Sequence, residues 1–212
     1  AGISVMSRAG SDNGTSATLF IRMTGPLPGP DAMDATGDPV VSHKATVLRL
    51  ELATAPGKAP IVTRTPVLEA GLGARADKDA FLVGPTGNVL SPDGKTLYVS
   101  DSVDNRIVAI ADAPTRTASA GTGRVVTKDG LMKRPLAMVA APNGHLLVCN
   151  ALNGQVVEVD PLTGKQLYAQ GIDTDQAQSP PGNGDLFGIV MAPDGKGFYY
   201  VEDDVNTVME AR

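Results

Sequence analysis

Short apolar runs that alternate with polar residues recur along the chain, and tight turns separate them. The clearest stretch runs from Gly84 to Ala111, GPTGNVLSPDGKTLYVSDSVDNRIVAIA, and predicts strand, turn, strand, turn, strand. The pattern returns at Arg134 to Asp160 and at Asp185 to Ala211. Three turns align: Ser91-Pro92-Asp93-Gly94, Ala141-Pro142-Asn143-Gly144 and Ala192-Pro193-Asp194-Gly195, spaced by 50 and 51 residues. Proline presets φ at the first turn position, and glycine or asparagine accepts the left-handed one, so each tetrad predicts a tight hairpin. Strands are expected on either side, at Asn88–Leu90 and Leu97–Ser100, Met138–Ala140 and Leu146–Cys149, Ile189–Met191 and Phe198–Val201. Further turns at Val103-Asp104-Asn105, Leu152-Asn153-Gly154 and Asp204-Val205-Asn206 lead to third strands at Arg106–Ile110, Gln155–Val159 and Thr207–Glu210. Fourth strands fit Gly123–Lys128 and Lys165–Gln170.

Ahead of the repeats, the alternation predicts strands at Gly2–Ser7, Ala17–Met23, Thr46–Leu52 and Ile61–Leu68. Pro66 suits the last of these to a sheet edge, because proline has no amide to give a ladder. Residues 25–43 are dense in Pro, Gly and Asp and predict a long loop, which is often functional in compact domains. Residues 69–83, with Gly71 and Gly73, predict an irregular crossover.

A period near 50 residues with four strands per unit predicts an all-β fold, a β-propeller. One blade cannot bury both its faces, so blades stack face to face around a channel. About four blades are expected, near 1–72, 73–130, 131–182 and 183–212, the last without an outer strand. A ring end left open would expose sheet edges and apolar faces, so the chain is expected to be part of a larger ring of six to eight blades. A protein partner or second chain would complete it.

Composition sharpens this picture. The chain has 24 glycines, 16 prolines and no Trp, so many short strands with an aliphatic core are expected. Net charge is −5, without a basic cluster, which argues against nucleic acid as a partner. No apolar run is long enough to predict a membrane span. Cys149, the one cysteine, lies in an apolar strand and is expected to be a buried small hydrophobe. No phosphate loop, CxxC or HExxH motif is present.

Gly84-Pro85-Thr86-Gly87, Pro92-Asp93-Gly94, Leu97-Tyr98-Val99-Ser100-Asp101 and Asp104-Asn105-Arg106-Ile107 resemble the NHL repeat. The likeness is close in the second blade and looser in the third and fourth. The segment Ala113–Lys128, with Ala141 to Leu146, resembles bacterial exported propellers of unassigned activity. That resemblance, with a start lacking Met, implies a periplasmic or secreted protein. Relatives of this shape include protein-binding modules, a lyase and calcium-dependent lactonases.

Equivalent repeat positions form rings around a propeller channel. At the end of the second strand stand Met23, Asp101, Asn150 and Glu202. The last three offer oxygens that suit a hard cation such as calcium, or side chains that fix the following turns. Before the first strand stand Thr86, Leu136 and Phe187, read as channel packing or a hydrophobic ligand wall. The calcium-dependent lactonases typically carry Asn where this chain has Thr86. The diverged repeats, the open ring and the lack of a catalytic constellation together favour a non-enzymatic scaffold that binds protein. The alternative is a metal-dependent hydrolase, lactonase or lyase with its site at the channel mouth.

Overall fold

The computed structural model describes residues 8–9, 16–25, 27–29, 31–77, 81–173 and 177–212. The strand expected at Gly2–Ser7 lies outside them. Every helix-or-strand element among the described residues is a strand, and the strands form four antiparallel sheets. The first sheet holds β1 (Arg8–Ala9), β2 (Ser16–Met23), β3 (Ser42–Ala53), β4 (Ile61–Arg64), β5 (Val67–Asp77) and β6 (Phe81–Val83). Its order is β1-β2-β3-β5-β6, with β4 on β3. The second holds β7 (Pro85–Leu90), β8 (Leu97–Asp101), β9 (Arg106–Ile110) and β10 (Arg124–Lys128). The third holds β11 (Pro135–Ala140), β12 (Leu146–Asn150), β13 (Gln155–Val159) and β14 (Gln166–Gly171), and the fourth β15 (Leu186–Met191), β16 (Phe198–Glu202) and β17 (Thr207–Ala211). The sheets are four blades in a propeller arrangement. Inner strand β11 lies between β7 and β15.

The aligned tetrads close their hairpins as expected. Gly94, Gly144 and Gly195 donate to Ser91, Ala141 and Ala192 at 2.8–2.9 Å. All three glycines sit at positive φ. The second turns use Asn105, Gly154 and Asn206 in the same region, with φ of 52–59°.

Residues 69–83 depart from the expected crossover. Residues 69–77 belong to β5 and 81–83 to β6, with Arg75 opposite Val83. The glycines that suggest coil have specific uses within a strand. Gly71, at φ +90°, is the extra residue where β5 slips register against β3 between Ala70 and Leu72. Gly73 packs so closely on Val103 that a Cβ would lie 2.9 Å from its Cγ1. Ile61–Leu68 is likewise two strands, broken at Thr65-Pro66, with β4 an exposed edge.

Period-two alternation sorts each blade's residues between two interfaces. In β8, Leu97 and Val99 join Phe20, Val47, Leu68 and Leu72 between blades one and two. Tyr98, their neighbour on the opposite face, packs with Met132, Met138, Leu146 and Val148 between blades two and three. Cys149 turns the other way from Val148 and meets Leu186 and Tyr200 of blade four. Burial pushes its thiol up to about 12, which makes it a packing residue. The far face of blade four is open, with Val190 and Val208 exposed.

Candidate functional site

The channel mouth is built from the first residues of the inner strands, the loops that precede them, the end of the strand that closes at Asp77 and the turns that follow the second strands. Thr86, Leu136 and Phe187, on three different blades, line one cavity of about 460 Å³. Their equivalence in the repeat is what brings them together. Asp77, Arg134, Asn183 and Asp203 share the lining, so the cavity combines an apolar wall with charged groups.

Thr86 itself is committed. Its Oγ1 donates to Gly84 O at 2.7 Å and lies 2.5 Å from Ser102 Oγ. Ser102 Oγ lies 2.6 Å from Pro135 O, and Ser100 Oγ 2.6 Å from Leu136 O. These hydroxyls tie blade two to the inner strand of blade three. Gly87 stands in the same seam, where a Cβ would collide with Leu136 O.

The charged groups are positioned by backbone contacts. Asp77, at the end of β5, holds Arg75 at 3.1 Å and Arg134 at 4.0 Å. Arg134 adopts φ +59°, a strained region for a residue with a side chain. Asn105 Oδ1 accepts its amide at 2.9 Å, and Ala151 donates to its carbonyl at 3.0 Å. Asn183 belongs to a turn pinned to blade three, where Gly184 donates to Ala151 O at 2.6 Å. Asp203 donates its amide to Asp185 O at 2.9 Å.

Asp101, Asn150 and Glu202 occupy equivalent strand ends, but each is engaged in its own surroundings. Asp101 Oδ2 accepts Arg106 Nε and Nη2, both at 2.8 Å. Its complete burial outweighs that pairing and raises the carboxyl to about 6. Asn150 Oδ1 accepts the Lys133 amide at 2.9 Å, and its Nδ2 donates to Leu131 O at 2.8 Å. Glu202 accepts a 3.5 Å bond from Thr207. Partial burial, and then the carboxylates of Asp173 and Asp204, raise its pKa.

A different acidic group has metal-like spacing. One carboxylate oxygen from each of Asp173, Asp185 and Asp204 lies within 4.8 Å of the other two. Asp173 and Asp185 are buried, and Asp204 is exposed. Calcium takes oxygens at 2.3–2.6 Å, so opposed ligands stand up to about 5 Å apart and this donor set fits it. The ring of Thr86, Leu136 and Phe187 does not: two members carry no donor, and the threonine hydroxyl is used. The acidic group escapes a sequence reading because its members come from a loop, a strand entry and a turn at unequal repeat positions.

Regucalcin from Agrobacterium tumefaciens, described as a calcium-binding protein, superposes with a TM-score of 0.55 at 16% identity, over 91% of this chain and 56% of that one. A luciferin-regenerating enzyme gives 0.56 at 14% identity, over 97% and 58%. Both likenesses concern the fold, and the chain spans little more than half the length of either structure. A chain of Kuenenia stuttgartiensis hydrazine synthase is 25% identical over 55% of this one, but its TM-score of 0.41 over 28% of its length is too low to speak for a shared fold. No curated protein sequence matches. Residues 67–179 match the family described as the SMP-30/gluconolactonase/LRE-like region. This match overturns the expectation of a non-enzymatic NHL-like scaffold, since NHL-type turns are shared across propellers whatever their chemistry. With more than half of its length inside that match, the chain belongs to the SMP-30/gluconolactonase/LRE-like family.

Proposed function

We propose that this chain carries the site of a lactone hydrolase, and that the site is the channel-mouth cavity. The family match over residues 67–179 carries the reading, because that span includes Asp77, Thr86, Arg134 and Leu136 of the cavity lining. Hydrolysis adds water across the ring ester: the acyl carbon gains a hydroxyl, the ring C–O bond breaks, and a hydroxy acid leaves. The protein must hold the ring, accept a proton from water and stabilise the carbonyl oxygen.

Leu136, Phe187 and Val83 give the ring an apolar face. Asp203 is exposed, and its carboxylate makes no hydrogen bond among the described residues, so it is the acceptor placed to take the proton of the attacking water. The Asn183 amide supplies a neutral donor to the carbonyl oxygen. Asp77 acts as a positioning residue that holds Arg75 and Arg134. Asp173, Asp185 and Asp204 are the residues that would hold calcium, which would act there as a Lewis acid toward a nearby carbonyl oxygen.

Titrating the acid released from a panel of aldonolactones tests this reading. Turnover is expected, with a loss of roughly 10²-fold or more in kcat for Asp203→Asn. No turnover of any lactone, or an undiminished kcat in the variant, would overturn it. We further propose that additional propeller blades, from the same polypeptide or a partner, cover the open face of blade four; the exposure of Val190 and Val208 supports this.

A further inference from the structure

A second, smaller cavity of about 240 Å³ opens beside the first. The two share Val83, Arg134 and Leu152, so they form one cleft. Charge is unequally divided along it. The small cavity is lined by Arg75, Lys133 and Arg134, with Ser102 and Asn105 as neutral polar neighbours, and no carboxylate belongs to its lining. The large cavity carries Asp77 and Asp203. Asp77 balances part of the positive charge through Arg75 and Arg134. The Lys133 ammonium makes no ion pair or hydrogen bond among the described residues.

This cationic end is held in place by the backbone. Asn150 Oδ1 accepts the Lys133 amide at 2.9 Å, and Leu152 donates to its carbonyl at 3.3 Å. Arg134 is fixed by Asn105 and Ala151 in a left-handed conformation that a residue with a side chain rarely adopts. Two adjacent cations, one of them in a strained conformation, thus meet a third from β5 at one end of the cleft.

We propose that the small cavity is an oxyanion subsite and that the substrate is an anionic lactone. Its carboxylate or phosphate sits among Arg75, Lys133 and Arg134, while its ring ester lies in the large cavity near Asp203. Guanidinium forks suit the planar oxygen pairs of such groups, and the ammonium adds a point charge. The anion takes no part in bond making; it fixes the register of the ring against the proton acceptor. This inference rests on the lactone-hydrolase reading for the reaction, but not for binding of the anion.

Steady-state kinetics on three lactones test it: a neutral aldonolactone, one bearing a distal carboxylate and one bearing a distal phosphate monoester. The wild type is expected to prefer one anionic substrate by about tenfold or more in KM, and the better of the two identifies the oxyanion. Lys133→Glu is expected to abolish that preference, and Lys133→Arg to retain most of it. In parallel, calorimetry with inorganic phosphate and with the carboxylate-bearing hydroxy acid reads the subsite without turnover. Turnover with equal KM for neutral and anionic lactones, unchanged by Lys133→Glu, would overturn the subsite and leave the hydrolase reading standing. Anion binding that Lys133→Glu removes, with no lactone turned over, would support the subsite and sink the hydrolase reading. Neither binding nor turnover would sink both. Lys133 is an exposed side chain, so its variants retain the fold.

Discussion

Replacing Glu69 with Gln should change how stability depends on pH. Glu69 lies on β5 with no exposed surface, between blades one and two, and neither carboxyl oxygen has a hydrogen-bond partner. The 120–123 loop closes over it: Ala120 donates to Leu68 O at 2.7 Å and Ala70 to Gly121 O at 2.8 Å. Gly123 packs so close that a Cβ there would stand 2.6 Å from Glu69 Oε1. Desolvation, then the Asp101 charge, pushes the carboxyl from 4.5 up to about 8, against a lowering by Arg106. The folded protein therefore keeps Glu69 protonated at neutral pH, whereas the unfolded chain ionises it. Its contribution to stability is fully present below 4.5 and is lost as pH rises through about 8. Within that window each pH unit removes about 1.4 kcal/mol, and the full loss approaches about 5 kcal/mol. Urea unfolding from about pH 5 to about pH 7.5 reads the effect as the difference between wild type and Glu69→Gln. The variant should gain about 3 kcal/mol on the wild type across that range. Taking the difference removes the parallel contribution of Asp101, which is raised to about 6. Parallel pH profiles for the two proteins would refute the reasoning, because they would mean that Glu69 ionises in the folded state as freely as in the unfolded one.

Other outcomes follow from the same packing. Gly87→Ala drives a Cβ into Leu136 O across the seam between blades two and three and should destabilise by about 1–3 kcal/mol, read as a shift in the urea midpoint. Asp101→Ala leaves Arg106 without its buried acceptor; a loss of about 3 kcal/mol in stability is expected, and a small change in kcat on any lactone turned over would place Asp101 outside the chemistry. Calorimetric titration with calcium should show one site that Asp185→Asn weakens at least tenfold; equal heats in both proteins would exclude the Asp173, Asp185, Asp204 group as the ligand set. Cys149 should resist a disulfide reagent in the native protein and react fully in urea, since its thiol is buried and raised to about 12.

The local alphabet of this fold is legible in the chain. The three tetrads, each ending in Pro-Asp-Gly or Pro-Asn-Gly, specify their own turns, because the φ preferences of proline and glycine are intrinsic. The strands around them are legible from alternation, and their fixed spacing makes the blades countable. The equivalence of Thr86, Leu136 and Phe187 follows from the same repeat, and these three do share a cavity. Residues 69–83 are where local signals mislead, because Gly71 and Gly73 imitate coil while serving a bulge and a close contact with Val103. The charged part of the site depends on that stretch. Asp77 acquires meaning only when the β5–β6 hairpin carries it to Arg134, far along the chain, and Asp203 only when blade four turns it into the same mouth. Asp173, Asp185 and Asp204 likewise share no repeat position and meet only in space. The sequence by itself determined the repeat turns, the strands that flank them and the four blades of this chain, since those depend on backbone preferences within a few residues. The tertiary structure decided which charges face one another, since that depends on how separate blades stack.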